Sequence, residues 1–355
     1  MEHPPLNLSR YPSLDYLRGL MALAVLVFHY DKWLTGIWDA STLQGKLGIY
    51  AVSIFFVLSG LTLTLVYRDR LKCTFQSWGL FFRKRIYRIF PLLWLATAAT
   101  LVLDENLRPI PVIFLNFTGL FGFVNPANDI ATGAWSIGCE LVYYAAFPTL
   151  FLVAKRSKLV FLGVFMALFA YAVWTAFYWF SPEKSIQSEW WETYVQAGNH
   201  AFFFTGGMAI GIFRTHLLKI PVIFWQFLLA ASVVFFIAWP IAEAPFFLVS
   251  GLNRLLLSMV GLVAVVAYFN SNINLGGIPH RLLSWLGAVS YSLYLLHPLV
   301  YRATQGVQKM FSNTGLIKTE PEHGYWSIFI AAMLGTLFFS HLSYQFLEKP
   351  LAKKG

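Results

Sequence analysis

LDYLRGLMALAVLVFH, residues 14–29, reads as an apolar helix carrying two groups that a bilayer should reject, Arg18 and His29. They stand 11 residues apart, almost three whole turns at 3.6 residues per turn. Both side chains therefore fall on one face, separated by about 16 Å along the axis. That is roughly half of a ~30 Å hydrocarbon core. A cation near one end of a membrane helix and an imidazole near the other, on one stripe, point to two ends of one buried path. Ionisable residues inside a membrane are functional-site candidates by default. The alternative is that Arg18 snorkels to the headgroups while His29 sits at the far interface.

The rest of the chain supports a membrane setting. Of 355 residues, 58% are hydrophobic and only 12% charged, against about 25% charged in soluble domains. The expected fold is all-α, a polytopic membrane protein whose spans leave little room for a separate soluble domain. The excess of 26 Lys+Arg over 16 Asp+Glu does not indicate nucleic acid, because the basic residues sit in short loops between apolar runs. Cys73 and Cys139 give neither a disulfide framework nor a metal-ligand spacing. The first apolar run lacks a small-residue cleavage site and reads as a signal anchor.

Windows of about 20 apolar residues predict about ten transmembrane helices, near 14–30, 48–67, 88–104, 135–154, 159–180, 199–214, 220–239, 246–269, 283–304 and 326–346. The sixth is short and glycine-rich, and the ninth is expected to bend at Pro298. The run 110–124 has Pro109 and Pro111 at its head and Asn116 inside, so it reads as re-entrant or interfacial. Basic residues alternate between loops. Arg68, Arg70, Lys72, Arg83, Lys84, Arg85 and Arg88 precede or open span three, Lys155, Arg156 and Lys158 follow span four, and Lys349, Lys353 and Lys354 follow span ten. The intervening loops hold Asp31, Asp39, Asp104, Asp129, Glu183, Glu189, Glu192, Glu243, Glu320 and Glu322. The Lys/Arg bias makes both termini cytoplasmic. Residues 1–13 and 349–355 are then cytoplasmic tails around a single transmembrane domain, 14–348. No internal repeat is visible, which counts against transporters built from two related halves.

Topology turns position into height. His29 lies about 22 Å above the inner end of span one, and Glu140 only about 8 Å below the outer end of span four. The two could face one another if those spans are neighbours, and burying Glu140 alone would be costly. The alternative is a structural Glu140 satisfied by backbone or serine groups. At the inner end Asp15, three residues before Arg18, can orient the guanidinium. Arg85 and Arg88, also three apart, stand at the cytoplasmic mouth of span three. Guanidinium pairs suit a phosphorylated ligand, although juxtamembrane arginines also set topology or touch anionic lipid. Arg254, deep in span eight, needs an anionic partner, which Glu140 or a ligand could supply. His297, His200 and His341 read first as hydrogen-bonded core histidines.

These residues fall in segments that resemble the acyltransferase-3 family of integral-membrane acyltransferases. The first helix at 14–29 is followed by FFVLSG (55–60), RKRIYRIFP (83–91) with Arg85 and Arg88 in its RxxR element, and WSIGCELVYYAAFP (135–148). LGAVSYSLYLLHP (286–298) and FLEKP (346–350) match the closing segments. In the Trp-Ser-x-x-x-Glu signature at 135–140, GCE (138–140) replaces the commoner Ser-Val-Glu and leaves Glu140 in register.

The resemblance implies transfer of an acyl group, acetyl in the first instance, from cytoplasmic acyl-CoA to a hydroxyl of an extracytoplasmic glycan such as exopolysaccharide, O-antigen or a lipooligosaccharide. It implies a multi-pass protein of the bacterial inner membrane, with membrane lipids around it and no bound cofactor beyond the acetyl-CoA co-substrate. It places catalysis on His29 and donor handling on Arg18, Arg85 and Arg88. Beside these, Glu140 could orient the His29 ring and stabilise the imidazolium as it forms, and Asp15 would support the donor end through Arg18. Trp135, Ser136, Tyr144, Arg254 and His297 are acceptor or supporting candidates. Because many relatives carry a fused hydrolase-like domain after the tenth span, the chain is expected to be of the stand-alone type. His29 would act either as a base or by taking the acyl group first. The rival reading is a transporter or flippase that uses the intramembrane charges as a conduction path; a sensory or scaffolding role has no particular residue in its favour.

Overall fold

The structure, a computed structural model, describes residues 11–104, 107–180, 187–313 and 321–354. Glu183, Glu320 and residues 1–10 of the expected N-terminal tail lie outside the described residues. The chain opens with α1 (Pro12–Thr35), α2 (Leu43–Tyr67) and α3 (Phe75–Leu103). The short α4 (Ile110–Thr118) and α5 (Phe121–Val124) lead to α6 (Trp135–Arg156) and α7 (Lys158–Trp174). Then come α8 (Gln187–Tyr194), α9 (Ala201–Ile212), α10 (Arg214–Leu217), α11 (Val222–Ala238), α12 (Phe246–Val249) and α13 (Gly251–Asn270). The last four are α14 (Gly277–Ala288), α15 (Ser290–Asn313), α16 (Pro321–Ser343) and α17 (Lys349–Lys354). No strand occurs among the described residues.

Among the described residues, six helical segments are long and apolar enough to cross a membrane, or seven if the bent pair α14–α15 is one span. The expected count of ten is not reached on length and composition alone. The helices α9 and α11 are apolar but have 12 and 17 residues, short of the ~20 a span needs. The α1 sequence carries Asp15, Arg18, Asp31 and Lys32.

At the centre lies α2, hydrophobic on all sides as a helix buried on all sides must be. It packs on α1, α6, α9 and α13. Its approach to α9 is backbone to backbone. A Cβ at Gly60 would meet the Phe204 carbonyl at 2.0 Å, and one at Gly207 would meet the Val57 carbonyl at 2.0 Å. Small residues at such crossings let van der Waals packing hold membrane helices together. One buried cation escapes any reading by pattern. Lys46 donates to the carbonyls of Phe236 (3.2 Å), Ile237 (2.9 Å) and Trp239 (2.7 Å), closing the C-terminus of α11.

Two local features set up the site. The run 110–124 breaks at Gly119, whose φ is 76°, and Asn116 anchors it. That side chain donates to Val112 and Asn128 carbonyls at 2.9 and 2.8 Å and accepts from the Ile130 amide at 2.9 Å. Just beyond, the Asp129 carboxylate accepts from the Trp135 amide at 3.0 Å and so caps the start of α6. Pro298, where a bend was expected, does not interrupt its helix. The chain turns by 67° between α14 and α15, where Ser290 Oγ donates to the Gly287 carbonyl at 2.9 Å. Gly287 itself lies against the Asp15 backbone of α1, with room for no Cβ. Pro298 stays inside a continuous α15.

Candidate active site

Ser59 and Thr62, one turn apart on α2, each hold an intramembrane charge. Thr62 Oγ1 accepts from Arg18 Nη2 at 2.5 Å, and the Leu58 carbonyl accepts from the same nitrogen at 3.4 Å. Asp15 faces Arg18 Nη1 at 3.5 Å, across one turn of α1. Ser59 Oγ donates to Glu140 Oε1 at 2.5 Å, and the Tyr144 hydroxyl donates to the same oxygen. The carboxylate of α6 and the guanidinium of α1 are thus held from one side of α2.

Arg85 and Arg88 complete the cluster from α3. The Arg85 guanidinium lies 5.6 Å from the Tyr144 ring centre, 5.9 Å from Phe81 and 6.0 Å from Tyr67. Its Nε is buried with no hydrogen-bond partner. Arg88 presents its surface to an internal space, and among the described residues no hydrogen bond engages its guanidinium. Glu140, Glu348 and Asp15 are the carboxylates near enough to act on it electrostatically.

That space has two parts. An inner chamber of about 100 Å³ is lined by Arg18, Arg85, Arg88, Glu140, Tyr144 and Tyr291, with Ser136 and Tyr294 toward its far end. A wider vestibule of about 740 Å³ adds Arg68, Arg214, Lys349 and Lys353 to Arg18 and Arg88, against Asp15, Asp69 and Glu348. Arg18, Thr62 and Arg88 line both. Six cations against three carboxylates make the vestibule basic, and the Arg18 and Arg88 guanidiniums stand where it meets the inner chamber.

Farther along α15, beyond the residues that line the chamber, lies a second cluster. The Tyr294 hydroxyl meets Ser136 Oγ at 2.8 Å and donates to the Gly133 carbonyl at 3.0 Å. One turn on, His297 lies with Nε2 2.9 Å from His29 Nδ1. Trp33 lies parallel to the His29 ring at 4.9 Å. His297 is only 1% exposed, whereas His29 is half-buried.

Several expected contacts are not made. Among the described residues no hydrogen bond or ion pair joins His29 to Glu140. The helix α2 packs on both α1 and α6 and stands between them, so equal height did not mean adjacency. Arg254 has no carboxylate partner either. It donates to the carbonyls of Asn199 (3.1 Å) and Val249 (3.5 Å) and to Thr175 Oγ1 (3.4 Å), with its guanidinium 5.0 Å from the Phe180 ring centre. It ties α13 to its neighbours and lies outside the chamber. Trp135 packs among Phe56, Trp191, Tyr194 and His200. His200 Nε2 meets the Tyr194 carbonyl at 2.8 Å and His341 Nδ1 accepts from Trp285 at 3.0 Å, as core histidines do.

The family model described as an acyltransferase domain matches residues 11–344, which include every one of these side chains from Asp15 to His297. The chain belongs to the acyltransferase-3 family. It is similar to a putative peptidoglycan O-acetyltransferase, YrhL, of Bacillus subtilis (strain 168), at 23% identity over 97% of this chain and 55% of that protein. It is similar to the peptidoglycan O-acetyltransferase OatA of Listeria monocytogenes at 24% identity, over 97% of this chain and 56% of that protein. A shorter match, 27% identical over 43% of this chain and 42% of the other, links it to the acyltransferase MdmB of Streptomyces mycarofaciens. The chain spans little more than half the length of YrhL and OatA. No solved structure matches.

In this acyltransferase-family chain, sequence reasoning passed over Ser59, Thr62, Trp33 and Glu348. Ser59 stands in the FFVLSG segment and Glu348 in FLEKP, but both were read as markers only. The Glu348 carboxylate accepts from Ser292 Oγ of α15. It reaches there from a π-helical turn, Tyr344–Glu348, a local form often found at functional sites.

Proposed function

We propose that this chain is a multi-pass membrane O-acyltransferase that moves an acetyl group from cytoplasmic acetyl-CoA to a glycan hydroxyl on the other side. The observation that carries the reading is the unbonded Arg88 guanidinium, which faces a basic vestibule and an inner chamber that it shares with Arg18 and Arg85. Guanidinium forks bind phosphate in a bidentate manner, so the nucleotide end of the donor lies in the vestibule and its thioester arm points inward. In this reading about ten helical passages, the short α9 and α11 and the charged α1 included, put both termini in the cytoplasm. The membrane is the bacterial inner membrane.

At the far end the sugar oxygen attacks the thioester carbonyl carbon while His29 takes the hydroxyl proton. The carbon–sulfur bond then breaks. Coenzyme A leaves as a thiolate and recovers the proton from the imidazolium. Glu140 balances the charge of Arg18 and Arg88 when no donor is bound, held in place by Ser59 and Tyr144. The acceptor is a carbohydrate, and peptidoglycan fragments are the first to try because YrhL and OatA are named for that substrate.

Purified protein in liposomes, given acetyl-CoA outside and glycan fragments inside, tests this. Release of free coenzyme A that depends on the glycan, with an acetyl ester recovered on it, is expected. Movement of glycan or lipid with no ester formed would replace the enzyme by a transporter.

A further inference from the structure

Pro298 sits inside α15 and has no amide hydrogen, so the Tyr294 carbonyl four residues back loses its usual helical donor. His297 Nδ1 stands 2.7 Å from that carbonyl oxygen and 3.3 Å from the Leu293 carbonyl. A carbonyl oxygen can only accept. The hydrogen is therefore on Nδ1 of His297, and in the neutral ring Nε2 carries the lone pair. That Nε2 faces His29 Nδ1 at 2.9 Å, with the two ring planes only 16° apart. A bond between a bare Nε2 and Nδ1 requires His29 Nδ1 to donate. His29 is then left with its lone pair on Nε2, and among the described residues no hydrogen bond occupies that nitrogen.

We propose that His297 is a positioning residue that holds His29 in the tautomer with a free Nε2, and that Pro298 holds His297 in turn. The inference deepens the catalytic reading of His29 and rests on it. The order runs from the Tyr294 carbonyl to His297 to His29, with a neutral imidazole where a carboxylate orients the histidine of other catalytic sites. The groups around His297 suit a neutral ring. They are Tyr30, whose hydroxyl donates to the His297 carbonyl at 3.1 Å, with Trp33, Tyr294 and His29. When His29 accepts a proton, its Nδ1–H bond to His297 becomes charge-assisted and shortens. Trp33 lies parallel to both rings, at 4.9 and 5.7 Å, and keeps them from rotating out of their common plane.

The test reads the tautomer and the kinetics separately. Nitrogen-15 NMR of histidine-labelled protein in lipid should show His29 with a protonated Nδ1 and a bare Nε2, assigned by loss of the signals in His29→Ala. His297→Leu removes the acceptor and should mix the tautomers, lowering kcat by about 10²-fold, the lower end of what a placed general base supplies. KM for acetyl-CoA should not move, because the arginine chamber is untouched. His297→Gln can still offer an oxygen to His29 Nδ1 and should recover much of kcat. Pro298→Ala keeps both histidines but returns an amide donor to Tyr294. It should lower kcat by about two- to ten-fold, the worth of one neutral hydrogen bond, and it serves if His297→Leu fails to fold. A wild-type spectrum with the hydrogen on His29 Nε2 would overturn the proposal, as would an unchanged His29 tautomer in both variants. Full activity in His29→Ala would instead remove the catalytic reading, while the resting tautomer remains measurable on its own.

Discussion

Replacing Arg88 by Ala removes a guanidinium that faces both chambers and makes no hydrogen bond among the described residues. No intramolecular bond is lost with it, so the effect on an anionic donor can be read with little interference from the fold. A hydrogen bond to a charged group contributes about 1.5–3 kcal/mol, which corresponds to a roughly ten-fold to hundred-fold weaker dissociation constant for acetyl-CoA. Lysine at 88 should recover only part, since it keeps the charge and loses the bidentate fork. Orientation in the membrane should survive either change, because Arg68, Arg70, Lys72, Arg83 and Lys84 remain on the same side. The assay is titration of coenzyme A and acetyl-CoA against purified wild-type, Arg88→Ala and Arg88→Lys protein, with dephospho-coenzyme A as a control for phosphate contacts. Equal affinity in all three proteins would return Arg88 to a topology marker and refute the placement of the donor.

Other consequences follow from the same geometry. Glu140→Gln removes a carboxylate from among Arg18, Arg85 and Arg88, so the ligand-free protein should melt lower and gain more on adding coenzyme A than wild type does. A smaller ligand-induced shift in Tm would show that Glu140 serves the chemistry rather than the charge balance. At the C-terminal end of α3, Asp104 accepts from Arg302 at 2.9 Å and from Arg108 at 3.1 Å, and these bonds hold its carboxyl below the usual 3.8. A depressed folded-state value stabilises above the ordinary one and is lost as pH falls through the depressed one. Wild type should therefore melt above Asp104→Asn at neutral pH, with the gap closing in acid below 3.8; a gap independent of pH would contradict the ion pairs.

Features carried by one helix were legible in the sequence, and features that need two were not. The Arg18–His29 stripe and the Arg85–Arg88 pair follow from helical spacing and loop charge, and Arg18, Arg85 and Arg88 line one chamber while His29 does not. Helix neighbours do not follow from height. Glu140 and His29 read as lying at one depth, which suggested a contact, yet α2 stands between their helices and offers Ser59 and Thr62 instead. His297 read as a core histidine because nothing local distinguishes it from His200. Its neighbour Pro298 was the signal, since a proline leaves a carbonyl four residues back that a histidine can engage. The bend was assigned to that proline for the usual reason, but the break lies where Gly287 passes the α1 backbone, a contact between distant segments.

The most direct measurement of the central claim pairs binding with transfer in one protein. His29→Ala in proteoliposomes should bind acetyl-CoA with wild-type affinity, because Arg18 lies about 16 Å away along α1 and Arg85 and Arg88 line a chamber that His29 does not. It should release no coenzyme A in the presence of glycan fragments that wild type acetylates. Binding intact and transfer abolished is the expected result. Transfer at the wild-type rate by His29→Ala would contradict the account.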